Sequence, residues 1–147
     1  MPVTIERIME TLKAVSPDVV TKGPRRIFVN IPRTDLTKTV NVLASELGAQ
    51  HLSAITGVDA GNVFELLYHF MIDGNVVTVR TTCPREDPTV ESIVPVFPGA
   101  ILYERELHDL LGVVPTGHPD LQRLVLPEDW VGGYPLRKDW KPAEGEE

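Results

Sequence analysis

VFELLYHFMI-DG-NVVTVRTTC, Val63 to Cys83, is the stretch whose reading decides the fold. Phe64, Leu66, Tyr68, Phe70 and Ile72 fall at every second position, the period of a strand with one buried face. Asp73-Gly74 is a dipeptide favoured where both residues of a two-residue turn need positive φ, so the stretch reads as a hairpin of Val63 to Ile72 with Asn75 to Cys83. Any two-residue register there puts Val77 and Val79 on the apolar face and turns Glu65, His69 and Arg80 the other way. On that second face His69 reads as a satisfied surface or half-buried side chain rather than a catalytic one.

Upstream, Ile5, Ile8, Met9, Leu12 and Val15 follow helical spacing, with Thr4 as N-cap, Val3 and Ile8 placed as a hydrophobic staple, and Ser16-Pro17 as the stop. Arg25 to Ile31 alternates, with Ile27, Val29 and Ile31 on one face, and Pro32 closes it as a short strand. A second helix carries Leu36, Val40, Leu43 and Leu47 on one stripe, capped by Thr34 or Asp35 and ended by Gly48. His51 to Val58 forms a further strand. Downstream, Cys83 to Pro88 is a charged loop, and Thr89 to Ile93 a short helical turn before Pro95 and Pro98 break regularity. The expected fold is α+β: a small mixed or antiparallel sheet with helices packed on it in residues 1–111, leaving room for one sheet face open to solvent, then an extended C-terminal arm in residues 112–147.

At 147 residues the chain fits one domain. Its formal charge of −7, from 14 basic and 21 acidic residues, argues against a nucleic-acid partner, and Arg25-Arg26 is too small a basic cluster to reverse that. Cys83 is the single cysteine, which fits a reducing compartment and supplies neither a disulfide nor a Cys-x-x-Cys set for a cluster or zinc. No apolar run reaches the roughly 18 residues of a membrane span. The start MPVTIERIMETL lacks the pattern of a secretory signal.

Gly99 to Leu111 reads as a third helix, with Ala100, Tyr103, Leu107, Leu110 and Leu111 on the core face. Glu104 and Glu106 fall at the edges of that arc, whereas Ile101, Leu102, Arg105, His108 and Asp109 face away. Two apolar residues on the outer face imply a cover there, and Arg105 with Asp109 has the spacing of an i,i+4 ion pair. From Gly112 on, five prolines and five glycines exclude long regular elements, yet both tryptophans, Trp130 and Trp140, lie here with Tyr134, Pro135 and Leu136 between them. Such aromatics gain most by docking, either on a partner or on the chain's own domain. The polar end Glu144 to Glu147 is expected to fray.

Catalytic readings are weaker. Glu104, His108, Asp109 and His118 could form a metal-dependent site, but their spacing departs from the Glu-x-x-His and His-x-x-x-His patterns that stack ligands on a helix. Nothing places a base beside Cys83, and Gly132-Gly133 precedes Tyr-Pro rather than a helix, so no nucleophilic dyad or phosphate loop is indicated.

Glu104-Arg105-Glu106, Asp109 to Gly112, Gly117-His118-Pro119-Asp120-Leu121 and Pro135-Leu136-Arg137-Lys138-Asp139 together resemble the signature of the C subunit of respiratory NADH dehydrogenase (complex I), a domain shared with membrane-bound NiFe hydrogenases. Pro88 to Ile93 and Phe97 to Ala100 extend the likeness, which runs from about residue 63 to 140 and is strongest after 88. Gln122 departs from it, standing where the family more often has a basic residue; Arg123 follows. The resemblance implies a non-catalytic subunit with no cofactor on this chain. It would be peripheral, on the cytoplasmic side of the cell membrane, and would hold a large catalytic NiFe-hydrogenase-like subunit and an iron–sulfur small subunit, whose clusters and possible NiFe centre do the redox work. Its interface would draw on Glu104, Arg105, Glu106, Asp109, His118, Asp120, Arg123, Trp130, Tyr134, Pro135, Arg137, Lys138, Asp139 and Trp140. The short ends of the chain look more like the compact forms of ferredoxin-linked hydrogenase or sulfur-reducing complexes.

Overall fold

Asp73 and Gly74 take φ of 45° and 80°, and the hairpin they close is the centre of the sheet. The computed structural model describes residues 2–142; the end from Glu144 to Glu147, expected to fray, lies outside them. In chain order the elements are α1 (Ile5–Lys13), β1 (Val19–Thr21), β2 (Arg26–Asn30), a 3-10 turn (Arg33–Asp35), α2 (Leu36–Ser45), β3 (His51–Asp59), β4 (Val63–Ile72), β5 (Asn75–Pro84), β6 (Thr89–Glu91), α3 (Ala100–Leu111) and β7 (Val114–Thr116). The five-stranded sheet has the order β1-β2-β5-β4-β3. Within it only β2 and β5 run parallel, because the chain leaves β2 through α2 and returns by β3 and β4; every other neighbour is antiparallel.

Ladder pairs Phe70 with Val77, Tyr68 with Val79 and Phe64 with Cys83 put the apolar face of the hairpin together, continued by Ile27 and Val29 from β2. All of these side chains are buried. Over them pack Ile8 and Leu12 of α1, Leu36, Val40 and Leu43 of α2, and Leu107 and Leu111 of α3, giving one core. Thr4 caps α1 by accepting the Arg7 amide at 3.2 Å. Gly48 ends the second helical run with φ of 66°.

The structure corrects three details. Thr89–Glu91 is a strand, not a helical turn: its backbone pairs in parallel with Val114–Thr116, a long-range partner that local spacing cannot reveal. β7 lies just past α3, and Val113 between them is fully buried. Asp35 stands at the start of α2 but makes no side-chain cap; the 3-10 turn before it supplies the entry. The strand β1, three residues long, is too short to write a period into the sequence.

α3 lies across β3, and its approach is set by Gly57. A Cβ there would stand 2.5 Å from Leu107 Cδ1 and 2.8 Å from Leu111 Cδ2. Gly57→Val should therefore overpack the α3–β3 contact and destabilise the fold by about 1–3 kcal/mol, read as a lower denaturation midpoint at unchanged slope.

Candidate functional site

α3 presents two polar faces, and both are occupied. Glu104 is fully buried rather than at the edge of the core arc. Its carboxylate accepts from Ser92 Oγ at 2.6 Å and from the Ile93 amide at 2.9 Å, tying the segment after β6 to the helix. Burial raises its pKa, opposed by those two donors.

On the opposite face, Arg105 and Asp109 do not pair with each other; both grip the arm. Arg105 donates to the carbonyls of Gln122 at 3.1 Å and Arg123 at 2.8 Å. Asp109, only 3% exposed, accepts from the amides of Leu124, Val125 and Leu126 at 3.2, 2.8 and 2.8 Å, and faces Arg123 at 3.4 Å. Burial pushes the Asp109 pKa up, but the three amides and Arg123 outweigh it and hold the carboxyl below its ordinary value.

His118 binds the intervening turn to the same helix. Its Nε2 lies 2.9 Å from the Ile101 carbonyl and its Nδ1 3.0 Å from the Asp120 amide, which requires the neutral ring with the proton on Nε2. The Asp120 side chain is exposed, as is Glu106. Glu104, His108, Asp109 and His118 do not converge: the two carboxylates bind different segments. Among the described residues, no three His, Cys, Asp or Glu side chains are grouped to hold a metal ion. Cys83 is buried, and burial pushes its thiol up to about 11.

Further along, the arm satisfies the free carbonyls at the end of α3. The Leu136 amide donates to Leu110 O at 2.9 Å and Arg137 Nε to Leu111 O at 2.8 Å. The Arg137 guanidinium lies 5.0 Å from the Phe64 ring and 4.4 Å from the Tyr134 ring. The Lys138 amide donates to Asp59 at 2.8 Å, while Arg85 pairs with Asp59 and stands 3.8 Å from Asp139. Trp130 and Trp140 turn inward on the arm, donating to the carbonyls of Gly133 at 2.8 Å and Gly132 at 2.7 Å. A Cβ on Gly132 would lie 2.6 Å from the Trp130 ring, so the loop between the tryptophans closes only on glycine. Pro135 is half-buried inside this loop, and the Lys138 and Asp139 side chains point to solvent.

The reading from sequence missed Asp59 and Arg85. A signal existed: Asp59-Ala-Gly61 between two strands is an Asx turn, and Asp59 Oδ1 accepts the Gly61 amide at 3.0 Å. Hydrogen bonds from the Gly61 and Lys138 amides, with Arg85, bring the Asp59 pKa down to about 2 against the opposing effect of burial.

With its own polar groups engaged, the arm leaves apolar side chains outside: Leu124, Val125, Val131, Tyr134 and Leu136; Leu102 of α3 is exposed too. Val131 is 97% exposed and Leu136 54%. Fold and arm together define a small α+β chain carrying a shaped, apolar-studded extension. Over residues 29–146 it matches the family described as "Respiratory-chain NADH dehydrogenase, 30 Kd subunit", and the chain belongs to that family. It is 32% identical over 142 residues to the C subunit of the F(420)H(2) dehydrogenase of Methanosarcina mazei, covering 91% of this chain and 90% of that one. To the C subunit of the NADH-quinone oxidoreductase of Moorella thermoacetica it is 33% identical over 142 residues, covering 93% and 95%. Its fold is that of a chain in the membrane-bound sulfane sulfur reductase, an archaeal respiratory membrane complex, with a TM-score of 0.76 at 23% identity over 92% of this chain and 85% of that one. The resemblance read from Glu104 to Asp139 thus holds, and the relatives are C subunits of complex I-like oxidoreductases.

Two outcomes test the anchoring. Asp109→Asn should expose the arm, with tryptic cleavage after Arg123 accelerated and about 1.5–3 kcal/mol of stability lost, the range for hydrogen bonds to a charged group. Because the Asp59 pKa is depressed in the folded chain, its hold on Lys138 is complete above the ordinary carboxylate range and is lost as pH falls. Hydrogen exchange of the Lys138 amide should therefore lose protection between about pH 4 and about pH 2, and Asp59→Asn should abolish that dependence.

Proposed function

We propose that this chain is a non-catalytic, cofactor-free subunit of the hydrophilic part of a membrane-bound oxidoreductase complex, of the ferredoxin-linked NiFe hydrogenase, sulfur-reductase or NADH:quinone type. Its work is to hold a large catalytic subunit and an iron–sulfur small subunit in a fixed geometry for electron transfer. The observation that carries the reading is the arm: its backbone is bonded to the domain at three stations, while Val125, Val131 and Leu136 stay more than half exposed. A preformed arm loses little conformational entropy on docking, which favours a permanent assembly.

Family membership supports the oxidoreductase complex as the setting. The lone buried Cys83 offers no thiolate set for a cluster, consistent with redox centres carried by partners. No described helix is long and apolar enough to cross a membrane, so a membrane attachment through other subunits accounts for the peripheral position proposed, on the cytoplasmic side.

Val131→Asp combined with Leu136→Asp tests this directly. Both side chains are exposed, so the isolated chain should keep its melting temperature, within the roughly ±0.5 kcal/mol usual for surface changes. Copurification of the large redox subunit through a tag on this chain should fall about tenfold or more. Unchanged copurification would sink the proposal.

A further inference from the structure

The sheet has a second face, opposite the core, and its chemistry differs from the rest of the surface. Strand register puts Val20, Phe28, Leu67 and Val58 on it, from β1, β2, β4 and β3 respectively. Val20 and Val58 are exposed, and among the described residues they are the two large exposed apolar residues that lie on neither α3 nor the arm. Val20, Phe28 and Leu67 line an open groove with Lys22, Asn30 and Arg80.

The charge of this face is opposite to that of the chain. Lys22 Nζ lies 5.7 Å from the Phe28 ring centroid, and Arg26 is the outward residue beside Val76. Arg80 donates to Asn30 Oδ1 at 3.2 Å and pairs with Glu65. Among the described residues, Glu65 is the only carboxylate at an outward register of the five strands. His69 adds no charge: it sits between Thr78 Oγ1 at 2.9 Å and Thr56 Oγ1 at 3.1 Å, and burial, then Arg26, lowers its pKa. Asp18, one residue before β1 and opposite Asn30, is exposed on the same side, so Lys22, Arg26 and Arg80 stand against Glu65 and Asp18 and the face keeps a positive excess on a chain of net charge −7.

We propose that this open face is a second docking surface, separate from the arm, and that its occupant is an acidic segment of a partner chain whose apolar side chains enter the groove between Val20, Phe28 and Leu67. Cations in excess over the carboxylates, beside an apolar floor, match a few carboxylates on an amphipathic segment. They are too few for a phosphate backbone, which needs a wide basic track. Complementary charge at the rim of an apolar patch selects the partner and fixes its register. The inference rests on the scaffold reading only in requiring that an assembly exists, and it supplies what bridging two subunits needs: two separate surfaces on one chain.

The test uses the full chain in its assembled complex. A photo-crosslinking residue, p-benzoylphenylalanine, is placed at Leu67 in one sample and at Val131 in another; the complex is isolated through a tag on this chain, irradiated, and the products are mapped by mass spectrometry. Leu67 should join an Asp/Glu-rich segment of another protein chain, distinct from the segment that Val131 joins. Lys22→Glu with Arg26→Glu should lower the Leu67 product about tenfold or more and leave the Val131 product and the melting temperature of the isolated chain unchanged. The inference is overturned by a Leu67 product with lipid, with a second copy of this chain or with a segment lacking acids, by a charge reversal without effect, or by no Leu67 product while Val131 reacts. If neither position reacts, the scaffold reading fails with it.

Discussion

A carboxylate taken out of water must be met by donors, and in this chain that requirement fastens the arm to the domain. Asp109 sits on the side of α3 away from the core, where water would normally solvate it. Instead it is buried, with the amides of Leu124, Val125 and Leu126 around it. Desolvation alone would destabilise the charge, and the amides offset that only while the arm keeps its course. Arg105, one turn earlier, holds the carbonyls immediately upstream, so one helix face reads both polarities of an irregular backbone. A segment without helix or strand of its own thereby has its main-chain groups paired.

The same logic recurs where the arm turns back. The end of α3 leaves carbonyls with no helical partner, and Leu136 and Arg137 supply the donors. Gly112, with φ of 84°, stands against Arg137 and Tyr134 so closely that a Cβ would lie 2.5 Å from the guanidinium. Asp59 then takes the Lys138 amide at the mouth of the β3–β4 turn. Polar groups thus fix the backbone, and the apolar side chains are left free to meet another surface. That division of labour fits the scaffold role proposed for the chain.

The sheet gives the chain two unlike surfaces. Helices cover one face, and the arm extends from that side through α3. The other face keeps Phe28, Leu67 and the Arg80–Glu65 pair accessible on strands that are rigid because both neighbours are hydrogen-bonded. Gly57 belongs to this account, since its missing side chain lets α3 lie directly on β3 and so sets where the arm starts.

Local periodicity was enough to determine the three helices, the hairpin with its Asp73-Gly74 turn and the faces of β2 and β4, because burial on one side of an element writes a repeat into neighbouring residues. The likeness to the respiratory family was legible for a related reason: its signature clusters on short ordered runs from Glu104 to Asp139. What only the tertiary structure decided lies between distant positions. Thr89–Glu91 became a strand because Val114–Thr116 pairs with it. Arg105 and Asp109 share a face, as their spacing requires, but bind the arm rather than each other, since several backbone partners satisfy a buried charge better than one exposed ion pair. Asp59 and Arg85, silent in the sequence apart from an Asx turn, acquire their role from Lys138, 79 positions beyond Asp59. Periodicity reports which side of an element is buried; which segment buries it is a property of the folded chain.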